Sequence, residues 1–406
     1  MGDKAGSGRI RPPRTGVALA GGGPLGGIYE VGALVALDEA ICGLRLTECD
    51  VYVGVSAGAF FAAGLANGIT PRDMYELFIE TERADDPFEP EVLMKPAFGE
   101  YSKRLAMLPP LFASAVADYV RGTNRRRVVE SFQRLAQALP GGLFDSRPIR
   151  DYLQRLAAAP GHTDDFRELQ RKLYIVATDL DRSELVTFGA KGFDHVRISS
   201  AVEASAALPG FFPPVLIDGR YYVDGALQKT LHASAALRDG VRLLFAINPL
   251  VPFKADDPHP DMNIKSLAEG GFVTIMSQTI RSLIYSRMKV GMDRYRHEYP
   301  EADIVLFEPR RDDAMIFFTN VFSYADRRRL CEHAYQQTRA DLRARASKLK
   351  PILARHGLSL DEDVLRDTTL TLLPQEDGGR RLGTTLQELS DALARLEPAL
   401  RAADGP

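Results

Sequence analysis

Apolar positions along this chain fall into short runs separated by glycine turns and by stretches of helical spacing. Residues 15–20 form a first run. A glycine-rich turn, Gly21-Gly22-Gly23-Pro24-Leu25-Gly26-Gly27, then feeds the helical pattern of residues 28–40. Residues 51–55 form a second, β-branched run that passes at once into an Ala-rich segment, the signature of a strand, a sharp turn and a helix. Further runs at 173–177, 243–247 and 303–307 are each bounded by turn or helix signals. Strands alternating with helices in this order predict an α/β fold with a mainly parallel sheet and right-handed crossovers. One pair differs. The runs 215–217 and 220–223 are joined by only Asp218-Gly219, the strongest short hairpin signal.

Elsewhere the pattern breaks. Between about 85 and 142, prolines at 87, 90, 96, 109 and 110 interrupt apolar stretches, which predicts a helical insertion with no clear strand and a candidate cap over a pocket. Near the end, Leu386, Leu389, Leu393, Leu396 and Leu400 follow the capping-box pattern Thr385-x-x-Glu388. They predict an amphipathic helix at about 385–401 that packs on its own chain. The expected organisation is a disordered basic arm at 1–14, a main domain at 15–345 and a C-terminal extension at 346–406.

Composition adds exclusions. A formal net charge of -3 over 406 residues gives no general drive toward nucleic acid. The clusters Arg125-Arg126-Arg127 and Arg327-Arg328-Arg329 read as solvated helix faces. Cys42, Cys49 and Cys331 are too few and too scattered for a disulfide framework, which suits a reducing, cytoplasmic setting. Residues 1–14 lack the apolar core of a secretory signal. Residues 51–71 carry no formal charge, but four glycines within them fit a buried strand and a buried helix better than a membrane span.

The chemistry centres on Gly54-Val55-Ser56-Ala57-Gly58, a Gly-x-Ser-x-Gly pattern between the predicted strand and helix. Ser56 stands at the apex, where Gly54 and Gly58 remove Cβ atoms that would collide in the turn. The upstream loop also satisfies G-x-G-x-x-G at Gly21, Gly23 and Gly26. The acidic residue a dinucleotide site needs at the end of the second strand is missing, because that strand ends at Ser56 and Asp50 lies before it. What remains is a cradle of bare N–H groups suited to an oxyanion. For a base, none of the seven histidines has a marked context. Asp218 is a turn residue, whereas Asp224-Gly225-Ala226 follows a strand with small residues that permit close approach.

Together these three ordered motifs resemble the patatin-like phospholipase family, from about residue 15 into the 240s. The stretches 204–214 and 144–149 support the likeness, and Leu25 stands where many relatives carry a basic residue. The resemblance implies a three-layer α/β/α sandwich and a serine acyl hydrolase of lipid esters that needs no metal or cofactor. It implies Ser56 as nucleophile, Asp224 as base, and the loop Gly21, Gly22, Gly23 and Gly26 as oxyanion site, with the Gly22 and Gly23 amides donating. Met315-Ile316-Phe317-Phe318 with Val321-Phe322, followed by Arg327 to Arg329, fits either a peripheral contact with an anionic lipid surface or a core strand or helix with a solvated basic end. Three alternatives stand beside this reading: a Ser-His-Asp esterase using a histidine such as His297 or His333, a catalytically silent protein of the same fold that binds partners, and a nucleotide-binding oxidoreductase. No oligomeric state follows from the sequence.

Overall fold

The computed structural model describes residues 14–80, 88, 93–105, 140–254, 266–318 and 324–373. The N-terminal arm before Arg14, most of the insertion, Arg125 to Arg127, Val321-Phe322 and the helix at 385–401 lie outside the described residues. The chain divides into two compact units, 1–368 and 369–406. The first carries everything below.

Ten strands are present among the described residues: β1 (Arg14–Leu19), β2 (Ile41–Cys42), β3 (Val51–Val55), β4 (Lys172–Asp179), β5 (Glu184–Phe188), β6 (Val215–Ile217), β7 (Arg220–Asp224), β8 (Val241–Ile247), β9 (Asp303–Phe307) and β10 (Ser359–Leu360). Eight of them form the main sheet in the order β6-β7-β4-β3-β1-β8-β9, with β5 on β4; β2 and β10 pair separately. The run β4-β3-β1-β8-β9 is parallel, while β5 and β7 are antiparallel to β4 and β6 to β7.

The predicted strand runs are uninterrupted apolar stretches because helices cover both faces of the sheet. Side chains alternate across the pleat. Ala18, Val51, Val53, Val55, Leu244 and Ala246 join one cluster with Ile284, Met288 and Met292 of the long helix Gly271–Glu298. On the other face, a Cβ at Gly54 would strike Ala59 and Ala62 of α2 (Ala57–Ala66). The uncharged window at 51–71 is thus a buried strand and a largely buried helix. Among the described residues no helix is long and apolar enough to cross a membrane.

Two expectations change. The helix α1 spans Gly23–Ala40, so it starts inside the glycine run and not at Ile28. Its residues from Gly26 to Leu37 are all buried, because α1 lies within the molecule and meets the helix Tyr324–Ala344 so closely that a Cβ at Gly32 would sit 2.3 Å from the Cys331 carbonyl oxygen. A helix buried all round has no polar stripe, and glycines inside it blur its start. The second change concerns Arg327 to Arg329, which do not form a solvated face. Arg327 and Arg328 are buried, and Arg328 forms a 3.0 Å ion pair with buried Glu80. Ile316 is buried too, whereas Met315 and Arg329 are exposed; Val321 and Phe322 lie outside the described residues.

Candidate active site

Ser56 sits between β3 and α2 at φ 54° and ψ -124°. Positive φ is costly for a residue with a side chain and persists only where the surroundings enforce it. Here they do. A Cβ at Gly54 would lie 2.4 Å from the Ala59 Cα, and one at Gly58 would lie 2.5 Å from the Leu19 carbonyl. Both motif glycines are therefore required by contact with neighbouring backbone. The Ser56 N–H donates to Ser205 Oγ at 2.8 Å, and the Ser205 hydroxyl donates to the Val176 carbonyl at 2.6 Å. Ser205 ties the elbow to β4.

Asp224 reaches the same place from the other direction. β3 pairs with the first part of one edge of β4, from Lys172 to Val176. β5 takes the opposite edge, and β7 takes the rest of the β3 edge, with Asp224 opposite Ala177. The end of β7 therefore abuts the end of β3, and Asp224 faces the residue that follows Val55. The hairpin that delivers it turns at Asp218 and Gly219 with φ of 49° and 76°, the mirror-image turn favoured by Asn-Gly and Asp-Gly pairs. A Cβ at Gly225 would lie 2.3 Å from the Val176 carbonyl oxygen, so only glycine lets the chain leave the strand here.

Asp224 is 2% exposed, and its carboxylate accepts the Ala226 N–H at 2.8 Å. Burial pushes its pKa up to about 6, against the opposing pull of the Ser56 side chain and the Ala226 N–H. Such a carboxylate is ionised at neutral pH and more basic than an exposed aspartate.

The glycine loop closes the third side. A Cβ at Gly21 would stand 3.0 Å from the Ser56 Cβ, 3.0 Å from the Ala226 Cβ and 3.7 Å from Ser56 Oγ, so the loop, Ser56 and the turn after Asp224 all meet there. Gly22 caps α1, and the Gly26 N–H is already bonded to the Gly22 carbonyl at 3.1 Å. The Gly26 amide is thus engaged within the helix. Its lack of a side chain serves packing, since a Cβ would strike Pro249 at 2.9 Å. Pro249 also lies 2.7 Å from the Cβ position of Gly22 and walls the loop from the β8 side. Amides at the start of α1 have no partner in the helix, which leaves those near Gly22 and Gly23 for a ligand.

Among the described residues no histidine bonds Ser56 or Asp224. His297 bonds the Asp293 carbonyl in its own helix, and His333 pairs with Asp313. Asp50 accepts the Thr15 N–H at the start of the sheet, far from an acceptor position for ribose. No group of three or more metal-ligating side chains occurs among the described residues. Sequence reasoning missed Ser205 and Pro249. Both lie in or next to stretches already noted, but nothing local marks a serine or proline that acts on a distant backbone.

Fold and elbow define an α/β/α protein that presents a serine at a strand-to-helix turn beside a buried carboxylate. The chain belongs to the patatin-like phospholipase family, whose model, described as Patatin-like phospholipase, matches residues 17–237, more than half of the chain. It is 20% identical over 235 residues to the probable lipid hydrolase 463L of Invertebrate iridescent virus 6, covering 56% of this chain and 66% of that protein. It is 23% identical over 229 residues to the uncharacterized protein L620 of Acanthamoeba polyphaga mimivirus, covering 55% and 57%. The chain thus spans less than two thirds of these relatives' length. Among solved structures it is similar to VipD from Legionella pneumophila, with 18% identity, TM-score 0.39 and coverage of 82% and 67%. It is also similar to the type III effector protein ExoU, with 19% identity, TM-score 0.35 and coverage of 82% and 53%.

Proposed function

We propose that this protein hydrolyses acyl esters of lipids through a Ser56-Asp224 dyad and an oxyanion hole formed by the Gly22 and Gly23 amides. The observation that carries the reading is the convergence at Gly21, where the glycine loop touches both the Ser56 side chain and the turn after Asp224. As Ser56 Oγ attacks the ester carbonyl carbon, Asp224 takes the hydroxyl proton and the loop amides receive the negative charge that develops on the carbonyl oxygen. Collapse expels the alcohol, which leaves with that proton. Water then attacks the acyl-enzyme by the same route and releases the fatty acid. A single oxyanion donor is worth about 3–4 kcal/mol in such reactions.

Lipid as substrate class is supported by family membership and by the name of the viral relative. The surroundings of the site agree with it. One turn along α2 from Ser56, an apolar cleft is lined by Phe60, Phe61, Met74, Phe78, Leu153 and Ile198. The long helix Gly271–Glu298 keeps Met276, Leu283 and Val290 exposed at seven-residue spacing, and its Arg287 bonds the Leu227 carbonyl just after the Asp224 turn. That helix is the proposed contact with a lipid surface.

The test is labelling with a fluorophosphonate probe, joined to mass-spectrometric analysis of products from mixed lipids. Wild type is expected to be labelled at Ser56 and to release fatty acids, whereas Ser56→Ala does neither. A folded wild type that takes no label and releases no fatty acid overturns the reading.

A further inference from the structure

A buried acid beside the glycine loop has no part in the dyad chemistry. Glu30 lies on α1 four residues after Gly26 and seven after Gly23, so it shares their face of the helix, one and two turns further along. That face is turned inward. A Cβ at Gly26 would strike Pro249, which follows β8, and Ala20, just past the end of β1, places its backbone amide beside the Glu30 carboxyl. Glu30 is 0% exposed. Neither carboxyl oxygen has a hydrogen-bond partner among the described residues, and the Ala20 N–H already donates to the Ile247 carbonyl at 3.0 Å.

An ionised carboxylate cannot be kept in such a place. Burial raises the Glu30 pKa well above the ordinary carboxyl value, against the pull of the Ala20 amide, and the group is held as the neutral acid. Even a neutral acid costs stability when it is buried without a partner, a cost that an apolar side chain of the same length avoids. Glu80, by contrast, is buried together with Arg328. What distinguishes Glu30 is the backbone it adjoins. Ala20 is the last residue before the loop, and α1 is the helix into which the loop runs, so the carboxyl stands between the incoming and outgoing legs. Those legs carry Gly21, which touches the Ser56 side chain, and Gly22, whose carbonyl accepts the Gly26 N–H at 3.1 Å.

We infer that Glu30 is a positioning residue for the glycine loop: its carboxyl group spans the base of the loop between Ala20 and α1 and fixes the direction in which the Gly22 and Gly23 amides point. The inference rests on the proposed hydrolase reading and adds to it a residue that acts through the loop backbone. A neutral acid suits this task. It gives the Ala20 amide a second acceptor without placing a full negative charge near the amides, where it would oppose the charge developing on the ester oxygen.

The experiment compares wild type with Glu30→Met, which keeps the length and removes the polarity, and with Glu30→Gln, which keeps a neutral polar head. On p-nitrophenyl butyrate, Glu30→Met is expected to lose about tenfold in kcat with KM unchanged, and Glu30→Gln to recover most of that loss. The thermal midpoint moves the other way, rising by about 2 °C in Glu30→Met because an unpaired polar group leaves the core. Wild-type kcat in Glu30→Met overturns the inference. So does a fall in kcat that follows a fall in the midpoint and that Glu30→Gln does not repair, since this marks an ordinary core residue. A second arm needs no turnover: hydrogen exchange at the Ala20 and Gly26 amides, both hydrogen-bonded at the base of the loop. Exchange about tenfold faster in Glu30→Met and restored in Glu30→Gln supports the positioning role even if wild type hydrolyses no ester, in which case only the hydrolase reading fails. Unchanged exchange at both amides in Glu30→Met overturns the inference.

Discussion

The two sides of the glycine loop are held by different means. Toward Ser56 the contacts are backbone on backbone: Gly58 against Leu19, Gly54 against Ala59, Gly225 against Val176, each too close for a Cβ. Toward β8, apart from the Pro249 ring, the contacts are long side chains laid on rings and carbonyls, such as Arg281 on Phe317 and Arg311 on Tyr285. The first arrangement fixes atoms to within the small tolerance of hard contacts and allows no substitution. The second holds charges in place but lets single residues change without moving the sheet. Hard backbone contacts and adaptable side-chain contacts thus divide the two sides of the loop.

The sharpest test of the Ser56 side removes reacting groups without disturbing its backbone. Ser56→Ala and Asp224→Asn are each expected to lower kcat at least about 1,000-fold while circular dichroism stays unchanged. Full activity in either variant ends the dyad reading. The pH profile follows from the same carboxylate. With Asp224 titrating at about 6 and acting as a base, kcat/KM should fall about tenfold for each pH unit below that value and level off above it. Stability runs the other way. The folded pKa of about 6 lies above the ordinary carboxyl value of 3.8, so the favourable contribution is full below 3.8 and is lost as pH rises through 6. Asp224→Asn should therefore gain up to about 3 kcal/mol over wild type at pH 8, with the gain vanishing near pH 4, as urea unfolding would reveal.

Breaking the backbone contacts should damage fold and activity together. Gly58→Ala drives a methyl group into the Leu19 carbonyl and is expected to cost about 1–3 kcal/mol of stability, measured by the same urea titration, with activity falling in parallel. A variant as stable as wild type would mean the elbow yields more easily than its contacts imply. Ser205→Ala should be milder. It leaves the Ser56 N–H without its acceptor, a defect of about 1–3 kcal/mol, and should lower kcat/KM about tenfold with KM unchanged. Leu283→Asp, on the outer face of the long helix, has the smallest expected effect: about a threefold loss on anionic vesicles, with a water-soluble ester unaffected. Equal effects on both substrates would remove that helix from the lipid contact.

The same contrast explains what could be read from the sequence. Close backbone approaches leave glycine as the only solution at Gly54, Gly58 and Gly225, and a positive φ favours it at Gly219, so these positions stand out in one dimension. The parallel strands were equally plain, because burial on both faces leaves them continuously apolar. Side-chain arrangements leave no such trace. Arg328 looked solvated because its partner, Glu80, lies 248 positions away in the chain. The start of α1 at Gly23 was hidden because glycines carry no periodicity, and Ser205 looked like any serine in a helix. Glu30 is distinguished only by its burial, which nothing beside it along the chain announces.

The shared edge of β4 has a further consequence for how the protein comes into being. Ser56 is made early, but its carboxylate arrives only on the last residue of a hairpin strand that must dock beside β3 on an already placed β4. A nascent chain that has emerged only through β4 carries Ser56 without Asp224. The proposed reactive pair is thus completed only when the sheet closes around it.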